Sequence, residues 1–154
     1  MIDTIQELRS LIAHFPAAAQ DIDEAGFAAK PLPNKWSKKE IVGHLIDSGH
    51  NNLRRFICGQ YEAEPPQIVY NQDFWVAANG YQEMRSAEVL QLWRLINERI
   101  CAVLESMPEG LYGRSCNTGR STPELHTLEW LAADYIRHMK HHLDQIVPRF
   151  SGGQ

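Results

Sequence analysis

Apolar residues recur at three- and four-residue steps in four separate stretches of this chain, and no stretch shows a convincing strand pattern. A step of that size winds apolar side chains onto one face of a helix, and such faces leave water only by packing against one another. In the first stretch Ile5, Leu8, Leu11, Ile12 and Phe15 predict a helix over residues 2–15. Pro16 permits a kink or a new start, and the run Ala17-Ala18-Ala19-Gln20 favours helix, so the element is expected to reach into the twenties. Lys30-Pro31-Leu32-Pro33-Asn34-Lys35 cannot propagate a helix and is a linker.

The second helix has the clearest start. Ser37 is placed to cap the amide of Glu40 while Glu40 reaches back, and Trp36 can pack on Ile41 as a hydrophobic staple. Ile41, Leu45 and Phe56 share a side that Val42, Ile46 and Leu53 widen, with Gly59 as the expected stop. The connection from Gln60 to about Arg85 exceeds the roughly 12–15 residues usual in compact domains, and residues 72–79 have room for a short element. Ser86 is the expected cap of a third helix with the stripe Val89, Trp93, Ile96, Ile100, Val103 and Met107. Leu111 to His126 has no period; Thr127 then caps a fourth helix from Leu128 to about Val147. The fold expected is an all-α four-helix bundle with a long crossover between the second and third helices, which lets neighbouring helices run parallel. Residues 1–150 form one domain in this reading, and 151–154 a frayed, disordered tail.

Composition narrows the function classes. A net charge of -4 offers no basic surface for nucleic acid, and no stretch has the length of a membrane span. Cys58, Cys101 and Cys116 are odd in number without C-x-x-C spacing, which points to a reducing compartment; with no leader-like start, the expected location is cytoplasmic.

The chemistry-bearing residues are the histidines. His138 and His142 lie one helical turn apart, about 6 Å along the axis, on the side that carries Leu128, Leu131, Ala132, Tyr135, Met139, Leu143 and Ile146. His141 points away, to solvent or to a supporting contact, and Asp134, one turn before His138, is placed either to orient that imidazole or to face water. A third ligand must come from another helix, and His44, beside the second helix's apolar face, is the candidate. His14, His50 and His126 have no comparable placement. Spacing alone leaves both a three-histidine metal site and hydrogen-bonded core histidines open.

Two segments are similar to a known family. Trp36-Ser37-Lys38-Lys39-Glu40-Ile41-Val42-Gly43-His44-Leu45-Ile46-Asp47-Ser48 and His138-Met139-Lys140-His141-His142-Leu143-Asp144-Gln145-Ile146 resemble the two signature segments of the DinB/YfiT-like superfamily. The resemblance implies a four-helix bundle with a long crossover, a divalent metal held by His44, His138 and His142, and frequent homodimers. Some related thiol-dependent isomerases place a glutamate where His138 stands, so this sequence resembles the all-histidine branch.

Three imidazoles leave metal positions free for water or substrate, the pattern of a catalytic site. The expected function is a metal-dependent enzyme acting on a small molecule, either a hydrolase activating water or an S-transferase activating a low-molecular-weight thiol. Zinc or nickel heads the metals imidazole accepts, with iron and manganese also open. Asp47, a turn after His44, is a candidate general base or supporting residue, with a surface carboxylate as the alternative. Ser48, Tyr70, Asn71, Asp73 and Trp75 are candidates to line the pocket, the crossover aromatics alternatively packing the loop onto the bundle. The rival from another class is a non-catalytic, stress-related dimeric metal-binding bundle.

Overall fold

A computed structural model describes residues 1–152 and contains the four expected long helices. They are α1 (Ile2–Ala18), α3 (Lys38–Tyr61), α5 (Ser86–Ser106) and α6 (Leu128–Ile146), with the shorter α2 (Glu24–Ala28) and α4 (Gln72–Asn79) in the connections. α1 runs through Pro16 and stops at Ala18, short of the twenties. The chain then turns, and Asp23 accepts the amide of Gly26 at 2.7 Å to start α2, which buries Phe27.

Contacts between helix ends fix the directions. Lys39, near the start of α3, donates to the carbonyl of Met84 at 2.7 Å just before α5, so α3 and α5 start at the same end. Gly59, near the end of α3, faces Leu128 at the start of α6, so those two are antiparallel. Arg9 pairs with Glu105 at 2.7 Å and Phe15 meets Trp93 edge-on at 5.2 Å, which sets α1 against α5 antiparallel. The N-terminal amine lies 3.3 Å from Glu129 and Phe15 meets Phe150 at 5.6 Å, so α1 and α6 are parallel. Leu8, Leu11, Phe15, Leu45, Phe56, Trp93, Ile100, Leu128, Met139 and Leu143 fill the core between them.

The crossover from Glu62 to Arg85 leaves the end of α3 and returns to the end where both α3 and α5 begin. Asp47 ties it down: its Oδ1 accepts from the Tyr81 hydroxyl at 2.7 Å and from Asn79 Nδ2 at 2.9 Å. α5 begins differently from expectation. Arg85, not Ser86, takes the cap position, and Ser86 donates both its amide and its hydroxyl to Glu24 of α2, at 3.0 and 2.6 Å. A carboxylate from elsewhere in the fold thus satisfies the first helical amide, and Ser86, expected as the cap, is a donor to it.

The stretch expected to be irregular contains a small antiparallel hairpin, β1 (Ser115–Asn117) with β2 (Leu125–Thr127). It is held from outside: Arg114 donates to the carbonyls of Gly59 and Glu62, and Cys116 Sγ to that of Arg55. Three-residue strands without their own apolar alternation depend on such contacts. In the expected tail, Ser151 donates its amide to Asp144 at 2.8 Å and Gly152 lies in a turn, while residues 153–154 fall outside the described part.

Candidate metal centre

The capping box at the start of α3 forms as read. Ser37 Oγ accepts the Glu40 amide at 3.1 Å and Glu40 Oε2 accepts the Ser37 amide at 2.8 Å. The Ser37 hydroxyl also donates to Gln82 at 2.6 Å, which fastens this helix start to the crossover. Two turns further on stands His44, only 1% exposed, with the Trp36 ring against its own at 4.9 Å between centroids. On α6, Thr127 accepts the Trp130 amide at 3.1 Å, and the register so set brings His138 and His142 inward near the far end. Because α3 and α6 are antiparallel, the start of one meets the end of the other.

The three histidines come together there. His44 Nε2 and His138 Nε2 are 3.1 Å apart, ring centroids are separated by 4.6–5.0 Å, and one nitrogen from each ring lies within 4.8 Å of the others. Nitrogens bound to one ion at about 2.1 Å stand about 3.0–3.4 Å apart at octahedral or tetrahedral angles, a spacing the His44–His138 pair already has, with His142 within 4.8 Å of both. Burial, reinforced by the neighbouring imidazoles, lowers His44 to about 3 and His138 to about 4. His142 is lowered too, mainly by burial. All three rings are therefore neutral at physiological pH and offer lone pairs. His44 Nδ1 is buried without a partner, so nothing among the described residues fixes the tautomer of this ring.

His142 is held. Its Nδ1 lies 2.9 Å from Gln145 Oε1, so Nδ1 carries the proton and Nε2 is left as the lone pair; Gln145 Nε2 in turn reaches His141 Nε2 at 3.2 Å. His141 itself is exposed and touches the centre only through this chain and an edge-on ring contact with His142 at 5.0 Å. Gln145 is not among the residues that spacing singles out, although it stands in the same helical segment at three residues from His142. Its signal was available: an amide one turn beyond a ligand can accept from the ring nitrogen that the metal does not use.

Other expected residues sit elsewhere. Asp134 pairs with Arg137 and makes no hydrogen bond to His138. Asp47 is not a surface carboxylate: it is fully buried, and its hydrogen bonds go to Tyr81 and Asn79, none to the histidines. Burial lifts it from 3.8 to about 6 against those hydrogen bonds. His50 donates back to the Ile46 carbonyl, His14 contacts the Ser10 carbonyl, and His126 stacks on Trp130, all away from the centre.

The cavity that reaches the centre has about 510 Å³ and is lined by Pro31, Asn34, Lys35, Trp36, Ile41, Gln72, Asp73, His142 and Gln145. Of the five expected pocket residues only Asp73 lines it. Asn71 caps α4 by accepting the Phe74 amide at 3.2 Å, and Trp75 packs edge-on against Tyr70 at 5.7 Å. Ser48 is buried, and its hydroxyl oxygen accepts from Asn52 Nδ2 at 3.3 Å. The wall of the cavity comes instead from the proline-rich linker, which the sequence marked only as a break between helices.

Residues 7–146 match the sequence pattern of the DinB superfamily. The chain belongs to the DinB superfamily. Among its relatives in that superfamily is YfiT of Bacillus subtilis, named as a candidate metal-dependent hydrolase; the two are 24% identical over 142 residues, 92% of this chain and 79% of YfiT. A similarly named candidate metal-dependent hydrolase of Halalkalibacterium halodurans is also 24% identical, over 92% of this chain and 81% of its own. The solved structure of YfiT, described as a four-helix bundle of unusual topology, superposes with a TM-score of 0.84 at 25% identity, covering 97% of this chain and 86% of YfiT. A mycothiol-dependent maleylpyruvate isomerase shares the fold, with a TM-score of 0.71 at 12% identity over 92% of this chain and 59% of the isomerase. Among the described residues of this DinB-superfamily chain, no helix is long and apolar enough to cross a membrane.

Proposed function

We propose that His44, His138 and His142 hold one divalent metal ion and that the protein is a metal-dependent enzyme acting on a small molecule, with hydrolysis as the leading reaction. The observation that carries this reading is the convergence of three neutral imidazoles from two antiparallel helices, with one nitrogen of each within 4.8 Å of the others. The names of the relatives as candidate metal-dependent hydrolases support it. A bound ion of the kind imidazole accepts, zinc or nickel first and iron or manganese next, would supply Lewis acidity and lower the pKa of a water or thiol beside it. The chain's own residues do the rest. Gln145 keeps the His142 lone pair on Nε2, the Trp36 ring covers one side of His44, and the cavity beside His142 gives a small substrate its way in.

Activation of a low-molecular-weight thiol for transfer to an electrophile is the second reading, since the same open position takes a thiol in place of water. Metal analysis of untagged protein tests the site: near-stoichiometric metal that falls by an order of magnitude or more in His44→Ala and His142→Ala supports it, and unchanged metal content in both overturns it. Loaded protein screened on activated esters and amides, and separately on thiols with electrophiles, then separates the reactions. Turnover abolished by His44→Ala supports an enzyme, whereas a screen without turnover in either set returns the non-catalytic metal-binding bundle.

A further inference from the structure

Lys35 and Asp73 both face the cavity beside His142, and neither forms an ion pair, with the other or with any described residue. Of the four lysines between residues 30 and 39, Lys35 and Lys38 form no ion pair, and of those two Lys35 lines this cavity. Lys30, at the start of the same linker, pairs with Glu40 at 2.9 Å, and Lys39, just inside α3, is bound to Glu24. The favourable dipole of a helix start accounts for an acidic residue in the first turn of α4, but gives no reason for an unpaired ammonium in the same cavity. The rest of the wall is mixed. Trp36 and Ile41 offer an apolar surface for a short aliphatic spacer, and Gln72 and Gln145 offer amide donors and acceptors. A volume of about 510 Å³ suits a ligand of amino-acid or small-peptide size.

We infer that this cavity takes a small zwitterion, its carboxylate at Lys35 and its ammonium group at Asp73, with the middle of the molecule lying over Trp36 towards His142. Opposite charges in one cavity disfavour simple dianions and simple amines, because each would leave one protein charge unpaired and set a like charge near the other. That this ligand class is the substrate rests on the metal-centre reading above; that the cavity selects it does not.

Four probes of one length separate the contributions: 4-aminobutanoate, butanoate, butylammonium and 1-butanol. Each is titrated into zinc-loaded, nitrogen-15-labelled protein and followed at the indole N–H resonance of Trp36, assigned with Trp36→Phe. 4-Aminobutanoate is expected to bind about fivefold more tightly than either singly charged probe, the scale of one exposed charge pair. Lys35→Ala should erase its advantage over butylammonium and leave butylammonium unchanged, and Asp73→Asn should erase its advantage over butanoate and leave butanoate unchanged. Both side chains are exposed, so the variants keep the fold. Equal binding of 4-aminobutanoate and 1-butanol, or no detectable binding of any probe, overturns the pocket assignment. Zinc is measured on the same samples. Zinc uptake without zwitterion preference keeps the metal centre and discards this inference, and preference in protein that takes up no zinc does the reverse.

Discussion

Gln145 shows how much of the centre rests on a residue that binds no metal in the proposed scheme. By accepting from His142 Nδ1 it leaves the lone pair on Nε2, and without it the ring would rotate and exchange tautomers. Gln145→Leu is expected to weaken zinc binding about 10- to 100-fold in a chelator-competition titration, while Gln145→Glu, which keeps an acceptor, retains most of the affinity. The histidines' protonation gives a second expectation. Ordinary imidazoles near 6.5 would release about two protons when three of them bind an ion at pH 6. With His44 lowered to about 3 and His138 to about 4, this site should release fewer than about one, measured by calorimetry in buffers of different ionisation enthalpy. Release of two would show that the rings titrate as exposed ones.

Among the elements, α3 does the most, because its two ends and both its polar and apolar faces are used. Gly43 has no room for a side chain: a Cβ there would lie 2.1–2.7 Å from the Tyr81 ring. Tyr81 must come that close for its hydroxyl to reach Asp47. Gly43→Ala should therefore displace Tyr81, loosen the crossover and cost about 1–3 kcal/mol in urea unfolding. Tyr81→Phe tests the same anchor through pH. Asp47 has a folded value of about 6 against 3.8, so it contributes stability in full below 3.8 and loses it as pH rises through about 6, where the buried carboxylate charges. Removing the Tyr81 donor makes the charged form costlier still. The loss in Tyr81→Phe should be larger at pH 8 than at pH 5, and a pH-independent loss would mean that Asp47 does not depend on this hydrogen bond.

At the scale of the whole molecule, the centre joins the start of α3 to the end of α6, and a bound ion would link two helices far apart in sequence. Zinc at one hundred times its dissociation constant should stabilise the protein by about 2.7 kcal/mol, visible as a rise in melting temperature that His44→Ala abolishes. An equal rise in the variant would place the stabilising ion elsewhere.

The sequence by itself determined the four long helices, the start of α3 at Ser37 and the pairing of His138 with His142. These are set by neighbours within a turn: apolar period, a cap and its partner, and four-residue spacing. It did not determine α2, the hairpin at 115–127, the use of Glu24 as a cap for α5, or the linker's place as a wall of the cavity. Apart from α2, which Asp23 caps locally, these depend on groups tens of residues away, as Ser86 does on Glu24 and Arg114 on Gly59. Asp47 makes the division plain. Its position a turn after His44 makes it a candidate base in the sequence, and only the folded crossover brings Tyr81 and Asn79 to its carboxylate. Local periodicity decides which way a side chain points on its own helix, and only the packing of distant segments decides what it meets there.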